Sequence, residues 1–120
     1  MSQSPAPAPS GAAAAARDLA DVPAVEVITT VALHLMTAAA VSLGLAEDGA
    51  GHRDLDEARK LITALAGLVT AGAPEVGAFH AAPLRDGLAS LQRAFREASP
   101  VPDEPGRGPG EALTGPVAAR

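Results

Sequence analysis

The stretch "VITTVALHLMTAAAVSLGLA", residues 27–46, decides the fold of this chain. It runs for twenty residues without a formal charge, which is long enough for a helix to cross a bilayer. The same pattern is also typical of a central helix that is surrounded by other helices of a soluble protein. Which of the two applies determines both the architecture and the compartment.

The residues that flank this stretch favour the soluble interpretation. Acidic side chains stand on both sides of it, whereas membrane spans are usually anchored by Lys or Arg on one side and by Trp or Tyr at the interfaces. The chain has no Trp and no Tyr. His34 and several threonines and alanines also weaken the transfer of the stretch into lipid. We therefore predict a buried central helix, and a membrane-associated helix 22–46 is the alternative.

Composition limits the folded part of the chain to about residues 22–99 of the 120. The segments 1–21 and 100–120 are rich in Ala, Pro, Ser and Gly and carry almost no large apolar side chain. Ordering such segments costs chain entropy with little burial in return, so we predict disordered N- and C-terminal tails. The remaining length is marginal for a single hydrophobic core.

Cysteine content and charge exclude several classes of protein. With no cysteine, the chain has neither disulfides nor thiol chemistry. The net charge of −5 argues against direct DNA binding and against anionic lipid. No secretory signal is evident at the N-terminus, and we expect a cytoplasmic protein.

Helical periodicity predicts an all-α, three-helix, mainly antiparallel domain with helices at about 22–46, 54–71 and 83–98. Asp21 is the expected cap of the first helix, and Asp54 with Glu57 resembles a capping box for the second. Gly72 and Pro74 are expected to end the second helix, and Pro83 to open the third. The third helix carries a narrow apolar seam of Leu84, Leu88, Leu91, Phe95 and Ala98.

Small residues on the first helix predict self-association. Two other helices are too few to cover a helix that is apolar nearly all round, and an uncovered apolar surface usually marks an interface. A homodimer with first helices meeting at a two-fold axis is the simplest arrangement. The line expected to meet the partner follows coiled-coil spacing and consists of Glu26, Thr30, Leu33, Thr37, Ala40 and Gly44.

No catalytic, cofactor or metal constellation is recognisable in the sequence. His34, His52 and His80 fall in no ligand pattern, and "EDGAGHRDLDE" lacks the oxygen spacing of a calcium loop. We predict that the chain is not an enzyme and needs no cofactor. A protein that holds a small apolar ligand between its helices, with His34 as the polar group, is an alternative.

Basic and amide side chains along the third helix form a candidate contact surface. Arg85, Gln92 and Arg96 align about a quarter turn from the leucine seam, with Arg93 close by. This edge is suited to contact an acidic protein or RNA phosphates. The alternative is an ordinary solvated helix face on which Arg93 pairs with Glu97.

Four segments of the chain resemble a bacterial family of uncharacterised proteins. They are "VPAVEVITTVALHLMTAAAVSLGL", "DLDEARKLITALAGLV", "PLRDGLASLQRAFREAS" and "PDEPGRGPGE". Together they resemble domain of unknown function 1844, and the resemblance covers nearly all of the folded part. It implies a short cytoplasmic all-α protein but supplies no active site. The family's frequent placement beside genes for translation initiation and ribosomal proteins favours a translation-linked accessory role. The resulting hypothesis is a non-enzymatic, self-associating interaction module.

Overall fold

The computed structural model describes residues 11–13, 16, 20–45 and 53–117. Four helices follow one another from residue 20 onward within these ranges: α1 (Ala24–Ser42), α2 (Leu55–Val76), α3 (Ala78–Ala98) and α4 (Glu111–Thr114). The described residues contain no strand, so the predicted all-α class with three main helices is confirmed.

Contacts between distant residues show how α1, α2 and α3 are arranged. Gly72 near the end of α2 lies against Ile28 near the start of α1, so these helices are antiparallel. Arg59 near the start of α2 lies over the ring of Phe95 near the end of α3, so that pair is antiparallel too. The three helices therefore form an up-down-up bundle, as predicted.

The core of the bundle is built mainly from leucine and alanine. Ala32, Ala39, Ala58 and Ala66 are completely buried, and the largest fully buried side chains are leucine and isoleucine. The predicted seam of α3 is confirmed: Leu84, Leu88, Leu91 and Phe95 are buried, and Ala98 packs at its edge. Because alanine adds little bulk, the helices lie close together and the core is thin.

Helix α1 ends before the predicted Ala46, which lies outside the described residues. Gly44 has φ of 79°, and the amide of Leu45 donates to the carbonyl of Ala40 at 2.9 Å. A glycine in the left-handed region with this bond is the Schellman arrangement that terminates helices. At the other end, Pro23 precedes α1 and no side chain caps it, so Asp21 does not have its expected role.

The start of α2 agrees with the sequence in part. The carboxylate of Asp54 accepts from the amide of Glu57 at 3.1 Å, which confirms Asp54 as the cap. Glu57 does not return the bond, because its carboxylate accepts from Lys60. The amide of Asp54 instead donates to the carbonyl of Ser42 at 2.7 Å and ties α2 to the end of α1.

The prediction that Gly72 and Pro74 end α2 is wrong. Gly72 is buried, and a Cβ there would lie 3.3 Å from Ile28 Cγ2, so this glycine permits the close approach of α1. Pro74 lies in the last turn of α2 and has no N–H to donate. The carbonyl left without that donor is the one of Thr70, which is exposed. The helix ends instead at Gly77, whose φ is 84°.

Helix α3 also contains a proline whose free carbonyl partner is exposed, and it starts earlier than predicted. We expected Pro83 to open this helix, but it begins at Ala78, immediately after Gly77. Pro83 is exposed, and the carbonyl facing its ring is that of Phe79, whose side chain is 86% exposed. Water can therefore satisfy that carbonyl, and the proline is tolerated one turn inside the helix.

The C-terminal segment departs from the expectation of a disordered tail over 100–120. Residues 100–117 have a defined path and fold back on the bundle, with α4 packed against α2. Gly108, Pro109, Gly110 and Glu111 are all buried. We predicted disorder because the segment has few large apolar side chains. It is held instead mainly by hydrogen bonds and by the close packing of its glycines. Residues 118–120 lie outside the described residues.

The predicted N-terminal tail over 1–21 falls mostly outside the described residues. Residues 11–13 and 16 have helical backbone and are exposed, and residues 20 and 21 form a turn that leads into Pro23.

Replacing Gly110 by alanine tests how tightly the C-terminal segment is docked. Gly110 has φ of 77°, and a Cβ there would stand 2.6 Å from Ala66 Cβ, closer than two carbons can approach. Gly115 has a similar φ of 81° but nothing within 4 Å, which makes it a matched control for backbone strain. We expect Gly110→Ala to lower the free energy of unfolding by about 2 kcal/mol or more and Gly115→Ala by about 1 kcal/mol, measured by urea denaturation. Equal losses would contradict the docked position of Gly110.

Candidate functional site

The outer face of α1 is an apolar surface that the other described helices leave open. The exposed large side chains of α1 are Val31, Leu33 and Val41, and exposed Leu45 follows just past the helix end; the four are between 40% and 59% exposed. His34 is exposed on the same face, and no Asp, Glu, Lys or Arg occurs between Val27 and Leu45. In α1 itself only Ala32 and Ala39 are buried, so the described part of the chain does not surround this helix.

The predicted self-association line is only partly on this face. Glu26, Thr30, Leu33 and Thr37 are exposed. Ala40 turns toward the core and packs against it, and Gly44 ends the helix. These two residues therefore do not belong to the free surface of α1. The predicted line did not include His34 and Val41, which the wheel places near the centre of the exposed face once the core side is known. Leu45 is also exposed, but it follows Gly44 and lies beyond the helix.

A threonine on this face is suited to an apolar partner. The hydroxyl of Thr37 donates to the carbonyl of Leu33 at 3.0 Å. The hydroxyl group therefore already has an acceptor within the helix. The methyl group of Thr37 can contact an apolar surface without leaving the hydroxyl unbonded.

The basic edge of α3 is divided by the C-terminal segment. Gln92 is only 3% exposed, and its Nε2 donates to the Pro109 carbonyl and to the Thr114 hydroxyl, both at 3.1 Å. Gln92 is therefore an internal anchor and not a surface contact. Arg96 is half-buried and donates to the Asp103 carbonyl at 3.2 Å.

The two other arginines of the edge are without an anionic partner in the described part of the chain. Arg85 is exposed and makes no hydrogen bond there. Arg93 does not form the expected pair with Glu97, and its Nη2 reaches only the Ser90 hydroxyl at 3.5 Å. Both guanidinium groups are thus available to an external anion.

Arg59 and Asp103 hold the start of the C-terminal segment. The guanidinium of Arg59 donates to the Asp103 carboxylate at 2.7 Å and lies 4.9 Å from the centre of the Phe95 ring. Stacking on the ring orients the guanidinium toward the carboxylate. The single aromatic ring of the core thereby helps to position a residue of the segment.

Glu111 closes the turn that follows. Its Oε1 accepts from the amide of Gly106 at 2.9 Å, and its side chain is buried against Gly108. A buried carboxylate is stabilised when backbone amides donate to it, so this residue organises the loop from within. The sequence "PDEPGRGPGE" is therefore a folded loop.

A cavity of about 500 Å³ lies between α2, α3 and the C-terminal segment. Its apolar wall includes Val69 and Leu88, and Leu113 and Val117 lie opposite. Its polar lining includes Arg85, Gln92, Arg93, Thr70 and Thr114. This volume is in the range of small-ligand sites, and the lining combines an aliphatic surface with two cations. Reasoning from sequence could not find this cavity, because one wall is the segment predicted to be disordered.

The histidines do not converge on a metal site in the described residues. His34 is exposed on α1 and lies outside the helix interfaces, so it is not the polar group of a cavity between helices. His80 contacts Phe79 edge to face at 5.3 Å and borders a smaller cavity of about 240 Å³ with Glu26 and Thr29. His52 lies outside the described residues. Within the described ranges no three His, Asp or Glu side chains are grouped to bind a metal.

By length and composition, α1 passes the test for a membrane span. Its most apolar stretch of 18 residues has a mean hydropathy of 1.7, and 11% of that stretch is buried in the fold. The core helix of a soluble protein or an N-terminal signal sequence passes the same test.

These features define a small all-α protein with an alanine-rich three-helix bundle and a docked C-terminal loop. The chain belongs to the family named domain of unknown function 1844 (DUF1844), whose model matches residues 24–97. The resemblance noted in the sequence is thereby confirmed, and the matched range spans α1 to α3. No curated protein and no solved structure matches the chain.

Replacing Gln92 by glutamate tests the anchor of the C-terminal segment. The carboxylate has the same shape but no N–H, so the Pro109 carbonyl loses its donor and faces a negative charge. We expect faster amide hydrogen exchange over residues 105–117 and a loss of about 2 kcal/mol in the free energy of unfolding. Ser90→Ala, an exposed change on the same helix, should alter neither. Unchanged exchange in Gln92→Glu would refute the role of this amide.

Proposed function

We propose that this protein is a non-enzymatic interaction module that pairs with a second copy of itself through the outer face of α1. The observation that carries the proposal is the exposure of Val31, Leu33 and Val41 on an uncharged helix surface, continued by exposed Leu45 just past its end. Leaving such a surface in water is unfavourable, and burying it against an identical surface removes both from water at once.

The length and charge of α1 support a second copy as the occupant. A helix of 19 residues is about 28 Å long, which is enough to cross a partner helix over several turns. Glu26 lies at one end of the face, so a two-fold arrangement brings no charges together at its centre. The thin core adds a reason for pairing, because a small bundle with little buried volume gains stability from association.

A membrane-associated role is the competing proposal, supported by the mean hydropathy of α1. Crossing a bilayer would require α1 to leave α2 and α3. Ile62, Leu65 and Leu88, which are buried in the cluster that α1 helps to cover, would then be exposed to water. The acidic flanks also lack the basic and aromatic anchors of a span. We therefore propose a cytoplasmic dimer.

We also propose that Arg85 and Arg93 contact an acidic protein or ribosomal partner, in keeping with a translation-linked accessory role. Their lack of ion pairs in the described residues supports this contact. Arg96 contributes less, since it already donates to the Asp103 carbonyl.

Leu33→Glu tests self-association. Leu33 is 53% exposed in the single chain, so the substitution should preserve the fold while placing a charge in the proposed interface. We expect wild type to have twice the chain mass of 11.9 kDa by size exclusion with light scattering. The variant should dissociate at least about a hundredfold more readily.

Thr63→Glu is the matched control, because Thr63 is exposed on α2 away from this face. It should remain dimeric, and circular dichroism should show both variants folded. A monomeric wild type at high concentration would refute the proposal. Sedimentation of wild type, but not Leu33→Glu, with neutral lipid vesicles would favour the membrane alternative.

A further inference from the structure

We propose that the cavity between α2, α3 and the C-terminal segment binds the carboxyl-terminal residue of a partner peptide that carries an aliphatic side chain. This inference names the chemistry of the partner at Arg85 and Arg93 and rests on that part of the proposed function. It is independent of self-association, since no residue of α1 lines the cavity.

The positive charge of the cavity comes from two arginines of α3 that line it on either side of a small residue. Arg85, Ala89 and Arg93 follow one another at intervals of four on α3 and all line the cavity. Residues four apart lie on the same helix face, about 6 Å apart along the axis. Arg85 and Arg93 are eight positions apart, about 12 Å along the axis, with Ala89 midway. The short side chain of Ala89 leaves room for an anion between the two guanidinium groups. Guanidinium groups bind carboxylates with strong, charge-assisted hydrogen bonds.

The amide of Gln92 supplies the second recognition element. Both hydrogen bonds of this side chain use Nε2, and its Oε1 accepts no hydrogen bond from the described residues. Gln92 lines the cavity one residue from Arg93. An acceptor beside a cation pair matches the end of a peptide, where a carboxylate and a donating backbone N–H stand on the same residue.

The apolar wall supplies the third element. Val69 and Leu88 are each 3% exposed and form the floor, and Leu113 is 53% exposed on the opposite wall. An aliphatic side chain entering this space would cover Leu113 and remove its own surface from water. A simple inorganic anion would leave this wall uncovered, and an aliphatic molecule without charge would leave the arginines unpaired.

The cavity is completed by the docked C-terminal segment. Leu113, Thr114 and Val117 form one wall, and the hydrogen bonds from Gln92 to Pro109 and Thr114 hold that wall in place. The carboxyl-terminal residue of a peptide would therefore contact the helix bundle and the segment together.

Three short peptides test this inference on the full-length protein. They are N-acetyl-Ala-Ala-Leu with a free carboxylate, the same peptide with a carboxamide end, and N-acetyl-Ala-Glu-Ala with a carboxamide end. Binding is followed by ¹H–¹⁵N chemical shifts. We expect the free acid to shift the amides of Leu88, Ala89 and Leu113, and the carboxamide of the same sequence to bind about tenfold more weakly or worse.

Arg85→Gln and Arg93→Gln should each weaken the free acid about tenfold. Arg107→Gln is the matched control, since Arg107 is exposed on the same C-terminal segment and does not line the cavity. The control should bind as wild type does, and the mass of all three variants in solution should be that of wild type.

The outcomes separate this inference from the broader proposal. Equal binding of the glutamate peptide and the free acid, both weakened by the arginine substitutions, would overturn recognition of a carboxyl terminus and keep the acidic contact. Absence of binding by all three peptides at millimolar concentration would overturn the inference and leave the broader contact of Arg85 and Arg93 standing. Equal binding of the free acid and its carboxamide would also refute the inference.

Discussion

The close approach of α1 to α2 and α3 is the constraint on which the rest of this structure depends. A Cβ at Gly72 would lie 3.3 Å from Ile28, and one at Gly87 would lie 2.8 Å from Met36. With Ala32 and Ala39 fully buried, the helices meet across glycine and alanine. Such contacts bring backbones together and bury little apolar surface per residue. The bundle therefore has a thin core, and none of the helices that the structure describes covers the far side of α1.

Because the core is thin, the contacts of the C-terminal segment are important for the stability of the fold. The segment adds a buried amide bond through Gln92, an ion pair through Asp103 and a glycine contact at Ala66. None of these is a large apolar side chain. The segment is ordered because its polar groups find partners and its glycines adopt left-handed conformations at little cost, as at Gly106 and Gly110. Hydrogen bonds and backbone shape replace the hydrophobic burial that the segment lacks.

The same distinction explains which features were predictable from sequence. The leucine seam of α3 and the cap at Asp54 follow local periodicity and local hydrogen bonding, and both were predicted. Glycine and proline were misread where their effect depends on neighbours. Gly72 allows a helix contact, and Pro74 and Pro83 are tolerated because the carbonyls they leave free face water. A one-dimensional pattern contains no information about either condition.

The candidate surfaces show the limit of sequence reasoning more clearly. An uncovered apolar face on α1 was predictable from composition, but its centre was not, since Ala40 and Gly44 serve the core and the helix end. The cavity depends on residues of α2, α3 and the C-terminal segment. Gln92 joins that segment to α3 through Pro109 and Thr114, which stand 17 and 22 positions further along the chain. Because no residue of α1 lines that cavity, pairing through α1 would leave it open on both copies. A dimer of this kind would present two equivalent sites. A partner with two such ends would therefore gain from the effective concentration that the α1 contact creates.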